Sequence, residues 1–338
     1  MTRPRTGPTR TTPTPATGPV THHGPATDPA TGRPRPRLLL IMGQGASGRT
    51  WTLHQVPAFV DAGYEVLTYD HRAAGTVDRG PFTFGELVDD AADIIRRTGD
   101  GPAAVVGTSL GARIAGSLTA RHPGLVTRCV MAAAHAAAPR TAQVLSARGD
   151  RAAALLAREE PEYLDALTAA RNLSPATLAD PAREREWLDV IALSRHLSAR
   201  GGDGRGTTAR RGPAGATAAG DGGAATDRPG TPPTTPSDHA DPDRPWDLHA
   251  EYATIRRPCL ALAYGDDRVV TPAQVRDVAA TVPGATYREV PRTGHWGTSS
   301  GPTRSTGSSS SSSPAAERGA RRAGRSGGRR AGTVGNGT

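Results

Sequence analysis

Apolar residues in this chain gather into short unbroken runs, separated by stretches in which they recur at helical spacing. Residues 38–42 (Leu-Leu-Leu-Ile-Met) are continuous apolar sequence between Arg37 and Gly43, the pattern of a strand buried on both faces. Similar runs predict strands over 64–69, 103–106, 126–132 and 259–264, and a further short strand is expected over 286–290. Between them, residues 51–62 read as a helix ended by Gly63, and 272–282 as another. Residues 83–97 are strongly amphipathic, with Phe84, Leu87, Val88, Ala91, Ile94 and Ile95 on one face and Glu86, Asp89, Asp90 and Asp93 opposite. Leu110, Ile114 and Leu118 share one face of a further helix. Alternating strand and helix predict an α/β fold, a mostly parallel central sheet with helices on both faces. Over 139–200 the pattern turns wholly helical (144–158, 162–170, 183–196), predicting a helical cap insertion over the carboxyl edge of the sheet, where such folds bind ligands.

Three stretches carry almost no apolar pattern and too little hydrophobic surface to offset the entropy of ordering them. They divide the chain into a disordered N-terminal tail (1–36), a first part of the core (37–138), the cap (139–200), a low-complexity insertion (201–245), a second part of the core (246–297) and a disordered basic tail (298–338). The net charge of +9 belongs to the tails, because 1–36 carry +4 and 298–338 carry +6 while the foldable part is near neutral. That placement argues against a specific nucleic-acid partner. All 41 basic residues are Arg. Without Lys, Schiff-base chemistry, a Ser-Lys dyad and a P-loop are excluded. Cys129 and Cys259 each fall in an apolar run, so buried free thiols are expected. No apolar run approaches 18 residues and no signal-peptide core follows Met1, so a cytoplasmic protein without membrane contact is expected. No His/Cys/Asp cluster has metal-ligand spacing, and no cofactor is expected.

The sharpest chemical signal is Gly107-Thr108-Ser109-Leu110-Gly111, which follows a predicted strand and opens a predicted helix. A serine at such a turn is held in a strained conformation that lifts its hydroxyl clear of the sheet, and the flanking glycines let strand and helix approach. The same expression recurs at 297–301, with neither a strand before it nor a helix after it. A serine nucleophile needs a general base and a carboxylate to orient that base. Gly294-His295 supplies an imidazole, and Gly265-Asp266-Asp267 follows a strand and precedes a Pro-led helix.

These landmarks, in the order Ser, Asp, His, resemble the α/β-hydrolases, and more narrowly the capped bacterial branch of cofactor-free haloperoxidases (perhydrolases), esterases and carbon–carbon bond hydrolases. The resemblance covers residues 37–297. It implies Ser109 as nucleophile, His295 as base and Asp267 as the acid, with the adjacent Asp266 the alternative. It also implies an oxyanion hole formed by the backbone N–H groups of Leu110 and Gln44. The family's His before the first-strand glycine is replaced here by Met42, which removes a side chain that stiffens this loop. In place of the family's helix after the catalytic His, the chain runs into low-complexity sequence from Thr298. Asp70-His71-Arg72 matches a structural turn of the family, and His135 is expected to line the pocket. His22 and His23 fall in the tail and carry no role. The resemblance implies hydrolysis of a small, mostly apolar ester, thioester or lactone, with perhydrolysis by the same triad or an inactive binding protein as alternatives. A small molecule is the expected partner, and the oligomeric state is left open.

Overall fold

In the computed structural model, residues 10–12, 19–74, 80–202, 235–239 and 246–297 are described. They contain an eight-stranded sheet: β1 (Arg10–Thr12), β2 (Val20–His23), β3 (Arg37–Ile41), β4 (Glu65–Thr68), β5 (Ala103–Thr108), β6 (Val126–Ala132), β7 (Cys259–Tyr264) and β8 (Thr286–Val290). Their order is β1-β2-β4-β3-β5-β6-β7-β8, antiparallel at β1/β2 and β2/β4 and parallel across the rest. Strand β3 shows why the sheet must be covered on both sides. Leu39 and Ile41 pack into one core with Leu87, Ile94, Leu110, Ile114 and Leu118, whereas Leu38, Leu40 and Met42 pack into the other with Trp51, Val56 and Val66.

The helices are α1 (Gln55–Asp61), α2 (Phe84–Arg97), α3 (Leu110–Arg121), α4 (Arg140–Glu159), α5 (Pro161–Asn172), α6 (Pro175–Leu178), α7 (Pro181–Gly202), α8 (His249–Tyr252) and α9 (Pro272–Thr281). The helix expected over 51–62 is divided, with 3-10 geometry at Gly48–Leu53 before α1. Helix α2 begins where its capping box dictates: the Thr83 side chain accepts from the Glu86 N–H while the Glu86 carboxylate accepts from the Thr83 N–H. Its apolar face, predicted residue for residue, lies against the sheet. Helices α4 to α7 follow β6 without an intervening strand. Among the described residues no helix is long and apolar enough to cross a membrane. Cys129 and Cys259 are free and buried, side by side in the register of β6 and β7.

The N-terminal segment departs from the expected tail. Strand β2 pairs antiparallel with β4, and His22, read as a tail residue without a role, is buried with Nδ1 2.7 Å from Glu65 Oε1. His23 Nε2 lies 2.9 Å from Thr68 Oγ1, and Val20 enters the core. Composition hides this strand because covering a sheet edge requires backbone pairing more than apolar content. Residues 298–338 and 203–234 lie outside the described residues. Replacement of His22 by Ala leaves Glu65 buried without its partner and is expected to lower stability by about 1–3 kcal/mol in urea unfolding. A solvated N-terminus would show no change.

Candidate active site

At the carboxyl ends of the parallel strands the chain turns most sharply between β5 and α3. Ser109 has φ 56° and ψ −119°, a conformation that costs non-glycine residues about 1–3 kcal/mol and persists only where surrounding structure enforces it. Here the enforcement is visible. The Ser109 N–H donates to the Ala132 carbonyl at 2.8 Å. A Cβ at Gly107 would collide with the backbone of Gly111, and one at Gly111 would collide with the carbonyls of Ile41 and Met42. Both glycines of the motif are therefore required by close backbone approach, and a Cβ on Gly43 would lie 3.3 Å from that of Ser109.

Ser109 Oγ is 3.1 Å from His295 Nε2, and His295 Nδ1 is 2.7 Å from Asp267 Oδ2. The other carboxylate oxygen of Asp267 accepts the N–H groups of Val269 and Val270, both at 2.8 Å, so the buried carboxylate is held from both sides. Asp266 is half-buried and its N–H donates to the Thr293 carbonyl. Of the two adjacent acids, Asp267 is the one that meets the imidazole. The His295 loop in turn rests on the cap. A Cβ on Gly294 would collide with the α5 terminus, the Trp296 N–H donates to Asn172, and the Trp296 and Trp187 rings are 5.8 Å apart.

Leu110 is buried directly after Ser109. Gln44 lies in the turn after β3, and the side chain that stiffens this turn is one whose part in it the sequence did not reveal. His71 is fully buried and donates Nε2–H to the Met42 carbonyl at 2.9 Å. Burial pushes its pKa down, so it is neutral. Asp70 accepts from the Ser47 hydroxyl at 2.8 Å and the Gly48 N–H at 2.7 Å, while Arg72 pairs with Asp90 at 2.7 Å and Glu86 at 2.9 Å. The turn Asp70-His71-Arg72 thus ties the first-strand loop to α2.

A second group was invisible as a group in the sequence. Arg113, one turn into α3, is buried beneath Phe84 and Trp246, with its guanidinium carbon 4.4 Å from the Trp246 ring centre. Burial lowers its pKa to about 10. Its Nη1 donates to His239 Nδ1 at 3.1 Å, and the His239 ring stacks between Phe84 and Trp246 at 4.8 and 4.6 Å. Burial first, then Arg113, pushes His239 down to about 3. His135 is also buried, 5.2 Å from Trp246, and held well below its ordinary value by burial. Among the described residues no group of three His, Cys, Asp or Glu side chains could hold a metal ion.

Residues 36–302 match the model of the alpha/beta hydrolase fold family, to which the chain belongs. It is a hydrolase enzyme of that family. It is 29% identical over 273 residues to BpoC of Mycobacterium tuberculosis, a protein designated a non-heme bromoperoxidase, covering 80% of this chain and 89% of the relative. It is 30% identical over 265 residues to the rhodomycin D methylesterase DauP of a Streptomyces species, covering 76% and 84%. The crystal structure of BpoC from the same mycobacterium superposes with a TM-score of 0.61 at 27% identity, covering 82% of this chain and 88% of that one.

Three buried neutral histidines, His71, His135 and His239, make stability depend on pH. Their folded pKa values lie below the unfolded value of about 6.5, so protons are taken up first by the unfolded chain. Stability is full above about pH 6.5 and is lost as the pH falls toward the folded values. Urea midpoints are expected to fall between about pH 7 and about pH 5, and less steeply in His239→Gln, which keeps an acceptor for Arg113 but does not titrate.

Proposed function

We propose that the protein is a serine hydrolase that cleaves a small, mostly apolar ester, thioester or lactone through an acyl-enzyme. The observation that carries this reading is the unbroken chain Asp267–His295–Ser109, with 2.7 and 3.1 Å links, ending on a serine held in a strained turn. The backbone N–H groups of Val269 and Val270 keep Asp267 aimed at His295 Nδ1–H, which leaves the Nε2 lone pair facing the Ser109 hydroxyl. Ser109 Oγ attacks the carbonyl carbon and its proton passes to Nε2. The carbonyl oxygen becomes an anion within reach of the Leu110 and Gln44 N–H groups. As the tetrahedral species collapses, the bond to the leaving oxygen or sulfur breaks and His295 returns the proton to it. Water, deprotonated by the same imidazole, then attacks the acyl-serine and releases the acid. The cap side chains Trp187, Leu178 and Leu188, packed with Trp296 of the His295 loop, support an apolar acyl or alcohol group.

Similarity to a protein named as a bromoperoxidase supports a second reading, in which peroxide replaces water in the second half-reaction and a peracid leaves. Peroxide-dependent halide oxidation that disappears in Ser109→Ala would favour it.

Under the hydrolase reading, a fluorophosphonate probe labels the wild type and not Ser109→Ala; equal labelling of both would sink the proposal. Asp267→Asn is expected to lower kcat by about 10⁴, because the amide favours the wrong imidazole tautomer, while Asp266→Asn costs far less. Rates on p-nitrophenyl esters of increasing acyl length measure both.

A further inference from the structure

Gln44 stands between Gly43 and Gly45, and Gly45 has φ +75° with open space around it. Neither neighbour of Gln44, the residue assigned an oxyanion donor, has a side chain to restrict its backbone. On either side the loop is tied down, by His71 at Met42 and by the Gly45 N–H donating to Ala73 at 2.7 Å. Gln44 is reached from a distant part of the chain: its side-chain Nε2 donates to Thr235 Oγ1 at 2.8 Å. The Thr235 hydroxyl donates onward to the Ser146 carbonyl of α4 at 3.2 Å.

Thr235 lies in the stretch whose composition predicts no structure, yet it is buried, because residues 235–239 are clamped at several points. The Ser237 N–H donates to Phe82 at 2.7 Å, and the Phe84 N–H donates to Asp238 at 2.8 Å. His239 is stacked between Phe84 and Trp246 and accepts from Arg113. We propose that Thr235 is a positioning residue of the active site: by accepting from the Gln44 side chain and donating to α4, it fixes the direction of the Gln44 N–H and couples that donor to the cap. The inference rests on the serine-hydrolase reading. A donor aimed at charge that develops only in the transition state changes kcat and leaves KM largely alone. Losing such a donor outright costs about 10²–10³, so a misdirected one is expected to cost about tenfold.

The test uses the full chain with Thr235→Val, Thr235→Ser, Gln44→Ala and the double variant Thr235→Val/Gln44→Ala. Ester turnover and the rate of fluorophosphonate labelling are both measured. Thr235→Val should lower kcat and labelling about tenfold with KM little changed. Thr235→Ser should restore both, and Thr235→Val should add nothing to Gln44→Ala. If Thr235→Val does not fold, Gln44→Leu removes the same hydrogen bond from the other side while keeping the backbone N–H, and must show the same fall. Wild-type kcat in Thr235→Val or in its stand-in Gln44→Leu, a serine variant as slow as the valine one, or additive losses would overturn the inference alone. A wild-type protein whose Ser109 is not labelled would overturn the hydrolase reading and this inference with it.

Discussion

The close approach of three backbones around Ser109 is the constraint on which the rest of the structure depends. Strand β5 must turn into α3 within one residue, and α3 must begin against the carbonyls that end β3, so there is no room for a Cβ at either Gly107 or Gly111. The strain in Ser109 is held by the core that α3 buries, with Leu110, Ile114 and Leu118 all fully enclosed, each worth about 1.5–3 kcal/mol of apolar transfer. One squeeze therefore does two things. It lifts the hydroxyl out of the sheet, and it brings the Met42-Gly43-Gln44 turn beside the serine, so nucleophile and proposed oxyanion donors are positioned by the same contact.

Charge at this edge of the sheet is managed by pairing or by neutrality. Asp267 is ionisable and buried, and it is compatible with burial because two backbone N–H groups and an imidazole N–H converge on it. Arg113 is buried beside aromatic faces and a neutral imidazole that accepts its hydrogen bond, with the charge of Asp238 also acting on it. His71, just beyond β4, holds the turn after β3. Its neutral ring donates one hydrogen bond to Met42 and adds no charge.

Much of the architecture was legible in the sequence because it depends on local periodicity. The strands expected over 126–132 and 286–290 have the predicted limits, and the amphipathic stretch 83–97 became α2. The elbow was legible as well, since a glycine two residues either side of a serine between a strand and a helix encodes a steric requirement directly. Ser109, Asp267 and His295 come together as their order along the chain implied, although 186 residues separate the first from the last.

What the sequence could not determine are contacts between segments with no shared pattern. The choice of Asp267 over Asp266 depends on which of two consecutive side chains faces the imidazole, and only the turn held by Val269 and Val270 decides it. Strand β2 and the segment 235–239 lie in stretches that composition assigns to solvent. Each is ordered by partners far away in the chain: Glu65 and Thr68 for the first, Gln44, Phe84 and Arg113 for the second. Hydrophobic periodicity reports burial of an element's own face. A short polar segment that is buried because another element supplies its hydrogen bonds leaves no such trace, and only the tertiary structure can place it.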